Sequence, residues 1–171
     1  MSSSKTLFLI DINALHVSTT FDYVGAFKTS KYKHHIVDFR VLYFKKFNLN
    51  NYNSITLHWS VDLNSKINLK LLGRLKYFRG LKVIFKQDEY KNINQLEKFI
   101  LENDFKIFFS SISKENIKKI YSSKFRKKIV IHSILTAYIP NYFKKLKLKE
   151  YSKRKYDIGY RGRDLPYNLG S

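Results

Sequence analysis

Short apolar runs alternate with amphipathic stretches along most of the chain. The predicted strands lie at 6–12, within 35–44, and at 54–59, 82–85, 106–109 and 128–134. The first of them, TLFLIDI, is almost continuously apolar and ends in a polar turn. A run of that kind is typical of a strand that is buried on both faces of a parallel sheet.

Apolar residues between these runs recur at helical spacing. Ile67, Leu71, Leu75 and Phe78 lie on one face and predict an amphipathic helix that Gly80 ends. The other predicted helices are one capped by the hydroxyl residues at 18–20, one over 93–100 and one over 113–121. Strands and helices therefore alternate, which predicts an α/β domain with a mostly parallel sheet and helices on both faces.

The composition excludes several classes of protein. The chain of 171 residues suits one domain and has no cysteine, so disulfides and cysteine-ligated zinc are excluded. The first apolar run is only about five residues long before Asp11, and no segment reaches the roughly 20 apolar residues of a membrane span. We therefore expect a cytoplasmic protein.

The net charge of +20 comes mainly from lysine, with 26 Lys and 7 Arg. Asn, Ile, Tyr and Phe are also abundant, a bias that AT-rich coding would produce, so compositional drift and a solvated surface account for most of the charge. A selected anionic partner is the alternative. A peripheral contact with the inner face of an anionic membrane stays open, whereas nucleic acid is not expected because no recognition motif is present.

Polar residues directly follow the strand at 82–85. They are Gln87, Asp88, Glu89 and Tyr90. Ligands of parallel sheets bind beyond the carboxyl ends of the strands, where these carboxylates could bind hydroxyl groups or act as a base. Equally, the segment could be a loop leading into a helix, with a carboxylate that favours the helix amino terminus.

His58 ends another strand and is a candidate base or orienting group, although a locally satisfied histidine is the alternative. Asp11 and Asn13 follow the first strand, but the turn lacks the glycine-rich pattern that binds dinucleotides. No phosphate-binding loop of the nucleotide-hydrolase type occurs either. No histidine and carboxylate have metal-ligand spacing, so we expect neither a cofactor nor a metal.

Arginine is scarce in the chain but recurs near its end. Tyr160, Arg161 and Arg163 lie among glycines, and two arginines that flank a glycine can bind phosphate through their forked donors. The alternative is a basic tail behind a lysine-rich helix. We expect the segment to fold back beside the carboxyl edge of the sheet.

Three segments together resemble motifs of bacterial glycosyltransferase-like proteins of the GT-B type. They are 83–90 with its QDEY end, 135–140 (LTAYIP) and 156–167 (YDIGYRGRDLPY). Proteins of this kind act mainly in surface-polysaccharide assembly. The resemblance covers most of the chain from Thr6 onward, with Ala137 where the family usually has glycine.

The resemblance implies a Rossmann-like domain over 1–150 that serves the sugar or glycan acceptor, and a segment over 151–171 that leads toward a donor domain. In GT-B enzymes a second domain, not contained in this sequence, binds the nucleotide-sugar without a metal. This chain is therefore expected to be inactive alone. For a glycosyltransferase domain the catalytic candidates are Asp88, Glu89 and His58, and the substrate-binding candidates are Gln87, Tyr90, Tyr138, Tyr160, Arg161 and Arg163. A non-catalytic basic module that binds nucleic acid or an anionic membrane is the alternative.

Overall fold

In the part of the chain that the computed structural model describes, six parallel strands form one sheet. The strands are β1 Thr6–Ile10, β2 His34–Asp38, β3 Ser54–Leu57, β4 Leu81–Lys86, β5 Ile107–Ser110 and β6 Val130–Ser133. Their order across the sheet is β2-β1-β3-β4-β5-β6. The predicted α/β, Rossmann-like fold with a parallel sheet is confirmed.

The structure describes residues 5–89, 91–135, 145, 147 and 150–156. The chain divides into two units, Met1–Ile139 and Pro140–Ser171. All six strands belong to the first unit. The described part of the second unit includes the 3-10 helix Tyr151–Lys153, whose residues are exposed.

Helices connect the strands. The α-helices of the described residues are α1 Ser18–Lys28, α2 Lys66–Leu72, α3 Ile93–Glu102, α4 Lys114–Ile120 and α5 Ser123–Arg126. Short 3-10 helices of the first unit lie at Ile12–His16, Phe39–Tyr43, Leu49–Asn51 and Gly73–Tyr77. Among the described helices, none combines the length and the apolarity needed to cross a bilayer.

Strand β1 lies between two hydrophobic layers. Leu7 and Leu9 point into the larger core, which also receives buried side chains from α2, α3, α4 and α5. Phe8 and Ile10 point the opposite way and pack with Val24 of α1. Because side chains alternate along a strand, the continuous apolar run buries both of its faces, and helices cover the sheet on both sides.

Two helix predictions were wrong in detail. The helix predicted over 66–78 ends at Leu72 and continues as a 3-10 helix, since Gly73 is a poor residue for the interior of an α-helix. The hydroxyl residues at 18–20 do not cap α1. Val17 is its N-cap and Thr20 is buried inside it, because the 3-10 helix that Asp11 caps occupies the preceding residues.

Lys82 of β4 is a buried cation whose side chain bonds the main chain at the end of the preceding 3-10 helix. It is 2% exposed, and its Nζ donates to the carbonyl oxygens of Phe78 at 2.6 Å and Leu75 at 3.2 Å. Leu75 lies in the 3-10 helix that precedes β4 and Phe78 is its C-cap, so both carbonyls belong to a helix end, where side-chain donors complete the hydrogen bonding. Burial lowers the pKa of Lys82.

We expect Gly80→Ala to lower the free energy of unfolding by about 1–3 kcal/mol, as overpacking does. A Cβ atom at residue 80 would lie 2.4 Å from the main-chain oxygen of Asn53. The same oxygen accepts a hydrogen bond from the N–H of Leu81, the first residue of β4. Gly25→Ala is the matched control, because nothing lies within 4 Å of its added Cβ, and it should stabilise α1 by about 0.5–1 kcal/mol. Urea denaturation measures both variants, and equal stability of the two would contradict the close approach.

Candidate functional site

The direction in which the chain moves across the sheet reverses at β1 and β3. From β1 the chain crosses to β2 on one side, and it then returns to form β3 on the other side of β1. Connections that leave in opposite directions open a crevice above two neighbouring strands, which is where parallel sheets bind ligands. The residues that follow β1, β3 and β4 therefore form the candidate site.

Arg40 clamps two aspartates at this edge. Its Nη2 lies 2.7 Å from Oδ1 of Asp11, which follows β1, and its Nη1 lies 2.7 Å from Oδ2 of Asp38, which ends β2. The aspartate side chains are 19% and 18% exposed and the arginine is 40% exposed. Hydrogen bonding to Asp11 is the largest cause that raises the pKa of Arg40, so the guanidinium group stays charged.

The turn after β1 has no main-chain donor left for a phosphate. The N–H of Asp11 donates to Ser60 Oγ at 2.9 Å, that of Ile12 to Asp38 Oδ2 at 2.9 Å, and that of Asn13 to Asp11 Oδ1 at 3.0 Å. Nucleotide-binding turns need these N–H groups free and need glycine for a close approach. Here side chains accept hydrogen bonds from all three N–H groups, and two of the three acceptors are carboxylates.

His58 is buried directly after β3 and is neutral. Its Nδ1 accepts from the main-chain N–H of Ser60 at 3.2 Å and lies 3.0 Å from Ser60 Oγ. Nδ1 is therefore the unprotonated nitrogen, so Nε2 carries the proton. Within the described residues, Nε2 is buried and has no hydrogen-bond partner. Burial lowers the pKa of His58 to about 3.

Aromatic rings surround this histidine. Its ring centroid lies 4.0 Å from that of Trp59 and 5.7 Å from those of Tyr23 and Phe8, and Trp59 lies 4.2 Å from Tyr23. Tyr23 and Trp59 are half-buried, so each residue is partly accessible to solvent. Burial raises the pKa of Tyr23 to about 12, and its phenol stays protonated.

The loop after β4 presents a free carboxylate. Asp88 is exposed and has a left-handed backbone with φ of 58°, which aspartate tolerates better than most residues. Gln87 beside it is half-buried. Among the described residues, neither side chain makes a hydrogen bond or an ion pair. Both are therefore available to a ligand.

Glu89 turns inward and ties two loops together. It is 7% exposed, and its carboxylate accepts from Ser110 Oγ at 2.8 and 2.9 Å, from the main-chain N–H of Ser111 at 2.8 Å and from the hydroxyl of Tyr121. Burial raises the pKa of Glu89, and these hydrogen bonds act in the opposite direction. The side chain fastens the loop after β4 to the loop after β5.

The structure thus divides the candidate site residues into accessible and buried ones. Asp88 and Gln87 are accessible at the edge, while His58 and Glu89 are buried beneath it. Tyr90, Tyr138, Tyr160, Arg161 and Arg163 lie outside the described residues. No group of three metal-ligating side chains occurs in the described ranges.

The sequence reasoning missed Asp38, Arg40 and Ser60. Asp38 could have been found, since it ends β2 as Asp11 follows β1, and carboxyl ends of parallel strands meet at one edge. The hydroxyl of Ser60 gives no sequence signal, because its role depends on the return of the chain after β3 to the first turn.

The chain matches no protein-family model and no curated protein sequence. A function therefore has to be argued from its own residues. Those residues are the Arg40 clamp, the aromatic group around His58 and the loop that follows β4.

We expect Glu89→Ala to lower the free energy of unfolding by about 1–3 kcal/mol, because it leaves the buried hydroxyls of Ser110 and Tyr121 without their acceptor. Glu102→Ala is the control, since its carboxylate is exposed and pairs with Lys98 only at 3.8 Å. That change should stay within about 0.5 kcal/mol. Urea midpoints compare the two, and similar losses would contradict a fastening role for Glu89.

His58 should make the fold sensitive to acid. Its pKa falls from 6.5 to about 3 on folding, so below pH 6.5 the unfolded chain binds the extra proton and stability drops as the pH falls. Between pH 7 and pH 5 this linkage is worth about 2 kcal/mol.

Unfolding free energies of wild type and His58→Gln at pH 7 and pH 5 measure that linkage. The variant should lose about 2 kcal/mol less than wild type over this range. The same pH dependence in His58→Gln and wild type would contradict a neutral, buried histidine.

Proposed function

We propose that this chain is the acceptor-side domain of a glycosyltransferase that assembles surface polysaccharide or another glycan. In this proposal the carboxyl edge binds the hydroxyl groups of a sugar or glycan acceptor. A second domain of the GT-B type binds the nucleotide-sugar, and this chain alone transfers no sugar. The three segments that resemble GT-B glycosyltransferase-like proteins suggest the class.

The observation that carries the proposal is that the main-chain N–H groups of the turn after β1 are already hydrogen-bonded within the protein. Its three main-chain N–H groups donate to the side chains of Asp11, Asp38 and Ser60, and it contains no glycine. A diphosphate would meet two carboxylates there, although Arg40 neutralises part of their charge. The edge is therefore better suited to a neutral, hydroxyl-rich ligand than to a nucleotide.

Two kinds of group at this edge suit a sugar. The carboxylate of Asp88 and the amide of Gln87 can exchange hydrogen bonds with hydroxyl groups. Trp59 and Tyr23 are half-buried aromatic residues, and the negative face of an aromatic ring attracts the slightly positive C–H groups of a sugar ring.

Asp88 is the favoured base in this proposal. An inverting transfer needs a group that removes the proton of the acceptor hydroxyl, and such a group has to reach the substrate. Asp88 is exposed and unpaired among the described residues, whereas both oxygens of Glu89 already accept hydrogen bonds. His58 is buried with a pKa of about 3, so it is better suited to positioning Ser60 and Trp59.

The remaining candidates belong to the proposal through the sequence alone, because they lie outside the described residues. Tyr90, Tyr138 and Tyr160 would contact the acceptor. Arg161 and Arg163 would face a phosphate, for which their forked donors are suited.

Binding of a panel of neutral mono- and oligosaccharides to the folded chain, by saturation-transfer NMR, tests this proposal. Asp88→Asn should weaken the binding of the best saccharide about ten-fold or more, because hydrogen bonds to charged groups contribute about 1.5–3 kcal/mol. Asp104→Asn is the matched control. It removes another exposed aspartate with a left-handed backbone, φ 56°, where asparagine is equally tolerated.

Two results would contradict the proposal. One is the absence of saccharide binding together with micromolar affinity of the wild-type chain for a nucleotide-sugar. The other is an equal loss of binding in Asp88→Asn and Asp104→Asn.

A further inference from the structure

An apolar groove lies beside the candidate site, between the 3-10 helix Phe39–Tyr43 and α2. Its volume is about 660 Å³, and its lining includes Leu42, Tyr43, Phe44, Ile67 and Leu71. Three of these side chains are unusually exposed for their size: Tyr43 73%, Phe44 62% and Ile67 73%. Scattered exposed apolar residues are ordinary, but a cluster of them marks an interaction surface.

Cations surround these apolar side chains. Arg40, Lys70 and Arg74 line the same groove, and Lys45 and Lys46 line an adjoining cavity of about 510 Å³ that shares Arg74. None of the described residues that line the two cavities is acidic. We call the exposed apolar side chains and the lysines around them the basic-aromatic surface, which consists of Tyr43, Phe44, Ile67, Lys45, Lys46 and Lys70.

Arg74 holds this surface in a fixed shape. Its Nη1 donates to the carbonyl oxygens of Leu42 at 2.9 Å and Phe44 at 2.7 Å, and its Nη2 donates to that of Phe47 at 3.0 Å. One guanidinium group therefore binds three carbonyls of the segment that carries the exposed aromatic and lysine side chains. A fixed segment loses little further entropy when it binds a partner.

We infer that the basic-aromatic surface docks the chain on an anionic lipid bilayer. Amphipathic tyrosine and apolar phenylalanine and isoleucine side chains are suited to the boundary between headgroups and acyl chains, and lysines attract anionic headgroups. A second copy of this chain is a poorer occupant. A symmetric contact would bring the lysines of both surfaces together, with no carboxylate among the lining residues to offset them.

The docked orientation places the carboxyl edge near the bilayer. Arg40 lines the groove and also clamps Asp11 and Asp38 at that edge. A bilayer bound to the basic-aromatic surface would therefore lie beside the crevice over β1 and β3. The inference stands apart from the proposed glycan function, because it uses none of the residues assigned to the saccharide.

Co-sedimentation with vesicles at 0.15 M salt tests the inference. The full chain should bind vesicles of phosphatidylcholine with 30% phosphatidylglycerol and should not bind phosphatidylcholine alone. A lysine near the surface contributes about 1 kcal/mol, or about five-fold in partitioning, so Lys45→Gln with Lys46→Gln should weaken binding about 25-fold. Lys118→Gln with Lys119→Gln removes the same charge from exposed residues of α4 and should weaken it less than about three-fold.

A fluorescent label separates insertion from general attraction. The chain has no cysteine, so Phe44→Cys and Tyr32→Cys each create one labelling site, and both residues are exposed. An environment-sensitive dye at residue 44 should shift to the blue with the anionic vesicles, and the same dye at residue 32 should not. The dye responds whether or not the chain binds a saccharide, so the two proposals fail separately.

Four results would overturn the inference. They are no binding to the anionic vesicles, equal losses in the two double lysine variants, equal dye responses at residues 44 and 32, and a dimer that Phe44→Ser dissociates. The last result would assign the surface to a second copy of the chain.

Discussion

Parallel pairing of the six strands is the constraint on which the other features of this molecule depend. Because every strand runs the same way, the residues that follow β1, β2, β3 and β4 meet at one edge. That edge collects side chains that are far apart in sequence, among them Asp11, Arg40 and Ser60. The candidate site is therefore a consequence of topology and not of any local motif.

Internal hydrogen bonds decide which groups at this edge remain for a ligand. The first turn uses its N–H groups within the protein, and Glu89 uses both carboxylate oxygens between two loops. Burial of partly satisfied polar groups is costly, so such groups are arranged to satisfy one another. Among the described residues of this edge, Asp88 is exposed, and Gln87, Trp59 and Tyr23 are half-buried and partly accessible.

The sequence predicted the fold better than the site. Apolar runs such as TLFLI determine a strand on their own, since burial of both faces of β1 follows from side-chain alternation. The ends of the helices were less predictable. Helix α2 ends at Leu72 because Gly73 follows, and α1 begins after Val17 because a 3-10 helix precedes it. The division between exposed Asp88 and buried Glu89 depends on Ser110 and Tyr121, which no local pattern connects to them.

The central claim is that the carboxyl edge over β1, β3 and β4 binds a saccharide. Amide chemical-shift mapping of the ¹⁵N-labelled chain, titrated with a panel of neutral oligosaccharides, tests it most directly. The account predicts saturable shifts at Asp11, Ser60, Gln87 and Asp88, with little change at Asn53 and Lys106, which precede β3 and β5 at the opposite edge. Shifts confined to that opposite edge, or no saturable shift with any oligosaccharide, would contradict it.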